Sequence, residues 1–166
     1  MNQEIQQEIL RQDYAMIQQN IKSFIKNQVS QKKANGVVFG LSGGIDSATV
    51  AYLCSKVFKK NALALVMPDS AISPSSDTGD ALKIIGEIGI DYKLIDINTI
   101  HKRYSNYLEP GELALGNLRA RIRSNIIYYY ANLKNLLVLG TSDKSEYLIG
   151  YFTKFGDGSA DMLPIV

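Results

Sequence analysis

The chain has 166 residues, of which 46% are hydrophobic and 20% are charged, and its formal net charge at pH 7 is +2. This composition is typical of a soluble globular protein, and we expect a single domain over residues 1–166. The small net charge predicts no nucleic-acid partner, and no apolar run approaches the ~20 residues that are needed to cross a membrane.

The ends of the chain and its cysteine content bear on its compartment. The N-terminus, which starts Met-Asn-Gln-Glu, lacks the basic and apolar regions of a signal peptide. Cys54 is the only cysteine, which excludes an internal disulfide and fits a reducing cytosol. We therefore expect a cytoplasmic protein. The apolar run 162–166 ends without a polar tail, so we also expect the native chain to continue beyond it.

The first predicted elements are a long amphipathic helix over residues 3–27, a strand over 36–41 and a helix over 47–59. Cys54 lies on the apolar stripe of the helix over 47–59, so we expect it in the core and not as a nucleophile.

The strand over 36–41 and the helix over 47–59 are joined by Gly-Leu-Ser-Gly-Gly-Ile-Asp-Ser at 40–47. Glycines let backbone N–H groups approach an anion, and a helix N-terminus adds partial positive charge. The segment predicts a phosphate-binding loop. It is not a Walker loop, whose glycines lie further apart and which ends in Lys-Ser or Lys-Thr.

The rest of the chain alternates between strands and helices. We predict strands over 62–67, 91–97 and 136–139, helices over 80–88, 98–108, 113–133 and 141–149, and loops over 69–78 and 150–160. Continuous apolar strands in this order predict a doubly wound α/β fold, a parallel sheet with helices on both faces. Ligands of such sheets bind beyond the C-terminal ends of the strands. The loop at 40–47, Pro68, Thr141 and the segment after Gly150 should share that edge.

Asp46 and Glu146 are candidate ligands of Mg²⁺. An acid beside a triphosphate needs a cation between them, and Mg²⁺ favours one or two carboxylates with phosphate oxygens. Each acid also has a structural explanation, because Asp46 starts a helix and Asp143-x-x-Glu146 has the spacing of a capping box. Two acids that converge on one phosphate site favour the metal. Thr141 is a candidate for a hydroxyl contact with nucleotide, although a helix cap is the better explanation of this residue taken by itself.

Three arginines lie on the predicted helix over 113–133. Arg119 and Arg123 are four residues apart and share one face, which we expect to be solvated. Arg121 points almost opposite, towards the body of the protein or a ligand. The one histidine, His101, is near Lys102 and is expected at the surface.

Residues 150–161 mix glycines, aromatic residues, one lysine and two acids without any period. A surface loop is one interpretation. Loops this rich in Phe and Tyr usually pack against something, and Lys154, Asp157 and Asp161 could hold an anionic substrate that carries hydroxyl groups.

Together these segments resemble the ammonia-dependent NAD synthetases of the ATP pyrophosphatase superfamily. The similar segments are 41–47, 116–123, 139–146 and 150–158, and the last two in tandem are the most specific. The resemblance implies an adenine nucleotide alpha hydrolase-like, Rossmann-like fold. It also implies a ligase that forms a C–N bond, joining ammonia to the carboxylate of deamido-NAD at the expense of ATP, with Mg²⁺ as cofactor. Homodimers with the dinucleotide site at their interface are implied as well.

The resemblance also implies a role for each candidate residue. ATP would contact Gly40, Leu41, Ser42, Gly43, Gly44, Ile45, Asp46, Ser47 and Thr141. Asp46 and Glu146 would hold Mg²⁺, and Arg121, Lys154 and Asp161 would bind deamido-NAD. Asp157 would act near the nicotinate or ammonia, so that the catalytic set is Asp46, Glu146 and Asp157.

Two features depart from the family pattern, and two other functions stay open. Family members continue beyond residue 166 with a lysine and a threonine for ATP and a His-Lys pair for the dinucleotide, and glutamine-using members carry an amidase domain that this sequence lacks. Free ammonia is therefore the expected nitrogen source.

Two alternative functions stay open for this chain. One is another ATP pyrophosphatase, GMP synthetase-like or tRNA-thiolating, and the other is a nucleotide-binding module without catalysis.

Overall fold

The computed structural model describes residues 11–166. Within that range the strands are β1 (Gly36–Gly40), β2 (Ala62–Val66), β3 (Asp91–Leu94) and β4 (Leu136–Val138). The helices are α1 (Tyr14–Gln31), α2 (Ile45–Phe58), α3 (Ser75–Ile88), α4 (Asn98–Ser105), α5 (Glu112–Lys134) and α6 (Lys144–Ile149). A single 3₁₀ turn, Lys59–Asn61, joins α2 to β2.

The strands form one parallel sheet in the order β3-β2-β1-β4. Val38 of β1 is paired with Leu63 of β2 on one side and with Val138 of β4 on the other. The central strands are apolar along their whole length and buried, as parallel strands covered on both faces must be. The predicted parallel α/β fold is confirmed.

A hydrophobic core lies on each face of the sheet because successive side chains of a strand point to opposite sides. Val37 and Phe39 join the core beneath α1, α2 and α3, together with Ile25, Cys54 and Ile85. Val38 joins the second core, which contains Leu65, Ile97 and Ile122 and lies beneath α5. The sheet therefore holds its C-terminal edge rigidly between two packed layers.

Several predicted boundaries are wrong, and a capping side chain explains two of them. The described part of the first predicted helix begins at Tyr14, because the Asp13 side chain accepts a hydrogen bond from the Met16 N–H at 2.9 Å and caps it. The helix continues to Gln31, and the predicted portion over residues 3–10 lies outside the described residues. Similarly, α6 begins at Lys144 rather than 141, since Asp143 caps it.

Two further boundaries differ. The predicted loop over 69–78 is shorter because α3 begins at Ser75, directly after Pro74. The predicted strand over 91–97 stops at Leu94, and the Asp96 carboxylate then accepts hydrogen bonds from the Ser70 and Asn98 N–H groups. Over residues 11–166, none of the helices combines the length and the apolar character that a membrane span requires.

Candidate nucleotide-binding site

The loop between β1 and α2 has a backbone that only glycine adopts easily. Gly43 has φ +93°, and a Cβ there would lie 2.4 Å from the Asp77 carbonyl oxygen. Gly44 precedes α2 and provides no side chain to cap it. The first turn of α2 therefore keeps N–H groups available for an anion, as the sequence predicts.

Two serine hydroxyl groups fix the shape of this loop. The Ser47 hydroxyl donates to the Gly44 carbonyl at 3.0 Å and accepts from the Ser42 N–H at 3.2 Å. The hydroxyl groups of Ser42 and Ser47 are 3.1 Å apart, and Ser42 Oγ accepts from the Gly44 N–H at 3.2 Å. These hydrogen bonds within the loop therefore hold its shape.

Asp46 and Glu146 follow neighbouring parallel strands, β1 and β4, and so lie at the same edge of the sheet. The carboxylate of Asp46 makes no hydrogen bond with any residue of 11–166. Glu146 belongs to a capping box, in which its N–H donates to Asp143 Oδ1 at 2.8 Å and its Oε2 accepts from the Asp143 N–H at 3.2 Å. The hydrogen bond from the Glu146 N–H is the main cause that lowers the pKa of Asp143, and the Ser145 hydroxyl, which donates to Asp143 Oδ1, lowers it further. Glu146 therefore takes part in capping its own helix, as its spacing from Asp143 predicted. Its Oε1 has no hydrogen bond inside the described chain.

This donor set fits Mg²⁺ bound together with phosphate oxygens. No cluster of three or more His, Cys, Asp or Glu side chains within residues 11–166 forms a metal cage by itself. Mg²⁺ is usually bound through one or two carboxylates plus substrate phosphates and water. Asp46 and Glu146 would supply such a pair, and the nucleotide would supply the remaining ligands.

A cavity of about 790 Å³ opens at the C-terminal edge of the sheet. Its volume is that of a site for a nucleotide-sized ligand. It extends from the loop after β1 to the loop after α6. The predicted site residues that line it are Gly40, Leu41, Ser42, Ser47, Thr141 and Asp157. Those that lie outside its lining are Gly43, Gly44, Ile45, Asp46, Glu146, Arg121, Lys154 and Asp161.

Residues 150–161 pack on α5 and on β4. The Thr153 hydroxyl donates to Asn117 Oδ1 at 2.8 Å, and Asp157 Oδ1 accepts from the Thr153 N–H at 2.9 Å. Gly156 approaches α5 so closely that a Cβ there would lie 2.9 Å from the Ala120 Cβ. The segment is therefore an ordered wall of the cavity and not a free surface loop.

The structure joins two of the predicted substrate residues and anchors a third. The exposed Arg121 donates from Nε to the carbonyl of Lys154 at 3.2 Å, and Lys154 Nζ lies 5.2 Å from the ring centre of Phe155. Asp161 Oδ2 accepts from the Val138 N–H at 2.8 Å, and the Asp161 N–H donates to the Val138 carbonyl at 3.0 Å. Asp161 therefore attaches this segment to β4, a structural role that its sequence position did not reveal.

The prediction that Arg119 and Arg123 are solvated is wrong. Arg121 is exposed, whereas Arg119 and Arg123 are half-buried over the end of β2. Arg119 Nε donates to Asp69 Oδ2 at 2.6 Å, and Arg123 Nε donates to the Met67 carbonyl at 2.9 Å. These acceptors turn that face of α5 towards the protein.

The prediction for His101 is also wrong. This side chain is 7% exposed, with Nδ1 4.0 Å from Asp69 Oδ2 and with Nε2 buried without a partner in the described chain. Asp69 itself is fully buried. Burial alone would raise the pKa of Asp69, but hydrogen bonds from Arg119 and the Ala71 N–H, with the positive charge of Arg119, lower it overall. The available signal for Asp69 was its place just after β2, at the edge where ligands bind.

Comparison with known proteins agrees with this geometry. A model of the NAD synthase family matches residues 17–166. The NH(3)-dependent NAD(+) synthetase of Hyperthermus butylicus is 48% identical over 161 residues, which are 95% of this chain and 58% of that protein. The corresponding protein of Archaeoglobus fulgidus is 44% identical over 155 residues, which are 92% of this chain and 63% of that protein. The chain thus spans about three fifths of the length of these curated relatives.

Solved structures give the same result. The NH3-dependent NAD synthetase from Campylobacter jejuni, in complex with the nitrate ion, has a TM-score of 0.89 at 43% identity, with 93% of this chain and 67% of that chain covered. NMN synthetase from Francisella tularensis has a TM-score of 0.86 at 36% identity, with 92% of this chain and 64% of that chain covered. The chain belongs to the NAD synthase family.

Proposed function

We propose that this chain forms a single ATP pyrophosphatase domain that amidates deamido-NAD with ammonia and ATP, giving NAD, AMP and pyrophosphate. One observation carries the proposal: the glycine loop after β1, Thr141 after β4 and the 150–159 segment line one cavity of about 790 Å³. These are the segments that resemble the family motifs. The match of the family model over residues 17–166 adds independent support.

The chemistry requires two substitutions, because a carboxylate is a poor electrophile. An oxygen of the nicotinate carboxylate attacks the α-phosphorus of ATP, the bond from that phosphorus to the bridging oxygen breaks, and pyrophosphate leaves. The nitrogen of ammonia then attacks the carbonyl carbon, the bond to the AMP oxygen breaks, and a proton is released. The products are the carboxamide and AMP.

The glycine loop serves the first of these steps. Its N–H groups and the first turn of α2 bind the phosphates and stabilise the charge that develops as pyrophosphate leaves. Asp46 and Glu146 hold Mg²⁺, which when bound neutralises phosphate charge. The Thr141 hydroxyl contacts ATP. Because the serines already fix the loop, little reorganisation is needed when the nucleotide arrives.

The 150–161 segment serves the dinucleotide. Arg121 and Lys154 bind its anionic part, and their proximity through the Lys154 carbonyl supports a shared role. Asp161 contributes Oδ1, since its Oδ2 is engaged by Val138. Asp157 lines the cavity, and its proposed role is near the nicotinate or ammonia.

We propose further that the protein works as a cytoplasmic homodimer. Leu113, Leu148, Ile149, Tyr151 and Phe155 are all exposed, and they belong to α5, α6 or the 150–161 segment. Large exposed apolar residues in one region often mark an interface. A partner subunit placed there would close the dinucleotide site.

The test is an assay of product formation. The protein is incubated with ATP, Mg²⁺, ammonium and deamido-NAD, and NAD and AMP are quantified. We expect equal amounts of NAD and AMP, and no AMP without the dinucleotide. AMP formed only with a guanine-nucleotide precursor or tRNA would favour another ATP pyrophosphatase, and nucleotide binding without AMP would favour a non-catalytic module. The mononucleotide analogue of deamido-NAD is the specificity control, because one solved relative is an NMN synthetase.

A further inference from the structure

Arg123 is the one basic residue among the described residues that line the cavity. It is half-buried, and its Nε donates to the Met67 carbonyl at 2.9 Å. That bond fixes the plane of the guanidinium group. Its other N–H groups have no hydrogen bond or ion pair with any part of the chain that the structure describes. A cation thus lies at the wall of the cavity with most of its donors available.

The neighbouring Arg119 does not share this property. It lies four residues earlier on the same face of α5, and its Nε donates to Asp69 Oδ2 at 2.6 Å. Within residues 11–166 no acidic side chain lies within 4.0 Å of Arg123 in an ion pair. Asp69 therefore forms its ion pair with Arg119, and Arg123 has no ion-pair partner among the described residues.

A half-buried guanidinium group lowers the stability of the protein unless an anion pairs with it. Burial is the main cause that lowers the pKa of Arg123, and the like charge of Arg119 lowers it further, while the negative charge of Asp69 raises it. A half-buried cation of this kind is stabilised by an anion with which it shares hydrogen bonds. The planar guanidinium group matches the geometry of phosphate, with two parallel N–H donors.

The position of Arg123 also suits phosphate. Met67 directly follows β2, and β2 is the neighbour of β1, at whose end the glycine loop begins. The Leu41 N–H of that loop donates to the Leu65 carbonyl of β2 at 2.9 Å. Arg123 and the glycine loop thus line adjacent parts of the same cavity.

We propose that Arg123 is a phosphate-binding residue of this cavity, and that Asp69 positions and neutralises Arg119 so that Arg123 keeps its donors for the ligand. The inference rests on the proposed function, since it takes the cavity to bind nucleotides. Both substrates carry phosphate. The phosphate that Arg123 binds belongs to ATP or to deamido-NAD, and the two are separated by experiment.

The test is a set of binding titrations with R123Q, R123K and the control R103Q. Arg103 is exposed on α4 and outside the cavity lining, so R103Q removes the same charge elsewhere. Each protein is titrated with a non-hydrolysable ATP analogue and Mg²⁺, with deamido-NAD, and with adenosine, which has no phosphate. We expect R123Q to weaken one of the two phosphate ligands at least about tenfold, while adenosine binding is unchanged. R123K keeps the positive charge but loses the two parallel N–H donors. Its affinity for the weakened phosphate ligand should therefore fall between those of wild type and R123Q.

The ligand that is weakened identifies the source of the phosphate. Unchanged affinity of R123Q for both phosphate ligands would overturn the inference, as would an equal loss of adenosine affinity, which would indicate a packing role. If R123Q fails to fold, R123K provides the test. Wild-type affinity of folded R123K for both phosphate ligands would then contradict the inference. Phosphate-dependent binding that needs Arg123 without any NAD formation would reject the proposed function alone. A wild-type protein that binds neither phosphate ligand would reject both.

Discussion

The carboxylate of Asp69 is fully buried at the end of β2 and accepts a hydrogen bond from the Arg119 side chain. Its other contacts are with the Ala71 N–H at 3.2 Å and, at 4.0 Å, with His101 Nδ1. Removing the charge would leave the Arg119 guanidinium group half-buried without its partner. This one residue thus compensates the charge of Arg119.

Asp69→Asn should lower the free energy of unfolding by about 2 kcal/mol at pH 7, because a charge-assisted hydrogen bond is lost from a buried site. Urea unfolding monitored by circular dichroism measures the change. Asp80→Asn is the control, since Asp80 is exposed and, within residues 11–166, forms an ion pair only with Lys83. It should change stability by less than about 1 kcal/mol. Equal effects of the two substitutions would contradict the buried-pair interpretation.

The same pair has a definite pH dependence. The pKa of Asp69 is lowered from its ordinary value of 3.8, so its contribution is present above that value and is lost as pH falls through the lower pKa of the folded state. The stability difference between wild type and Asp69→Asn should therefore be constant near neutrality and should shrink below about pH 4. Unfolding titrations of both proteins at a series of acidic pH values measure it. A stability difference between the two proteins that grows as the pH falls would contradict this prediction.

Cys54 is expected to be chemically inert in the folded protein. It is 0% exposed, and burial raises the pKa of its thiol to about 12, so almost no thiolate is present at neutral pH. Reaction with a thiol reagent should be slow in buffer and fast in guanidinium chloride. Rapid modification of the native protein would contradict its place in the core between α2 and the sheet.

At the scale of the elements, the glycine loop offers the sharpest stability test. Gly43→Ala should cost about 1–3 kcal/mol and weaken binding of an ATP analogue, because φ +93° and the close Asp77 carbonyl both oppose a Cβ. Gly86→Ala is the matched control. Gly86 is helical with nothing within 4 Å of a Cβ, so alanine there should stabilise by about 0.5–1 kcal/mol. A neutral Gly43→Ala would show that the loop does not need its left-handed backbone.

The sequence predicted the positions of the strands and helices better than their ends. Apolar runs and helical periodicity located the four strands and six α-helices of residues 11–166. Burial of apolar residues decides the structure of β1 and β2, whereas β3 is exposed along its length. Element ends were less accurate, since they depend on single side chains such as Asp13 and Asp143. The glycine loop was predictable because its requirements are local.

The face of α5 was not predictable. Helical spacing places Arg119 and Arg123 together, but it does not say whether water or the protein meets them. Their acceptors are Asp69 and Met67, which lie 50 and 56 residues away in sequence, so only the fold reveals them. The burial of His101 beside Asp69 has the same cause.

For the whole molecule, two parallel strands carry the segments proposed to bind metal and nucleotide. Asp46→Asn and Glu146→Gln should each abolish turnover while the fold stays intact. Glutamine preserves the capping box of α6, so Glu146→Gln removes charge without removing the cap. Turnover is measured as NAD formation and the fold by circular dichroism. Glu109→Gln, an exposed acid outside the cavity lining, should retain activity. Wild-type rates in both site variants would remove the metal assignment.

The most direct measurement is a crystal structure of the protein with Mn²⁺ and a non-hydrolysable ATP analogue, in which anomalous scattering locates the metal. We expect the phosphates to lie on the backbone of residues 40–47, within the cavity that Thr141 also lines. We also expect one metal ion, coordinated by Asp46, Glu146 and phosphate oxygens. A nucleotide bound elsewhere, or a metal that neither carboxylate contacts, would contradict it.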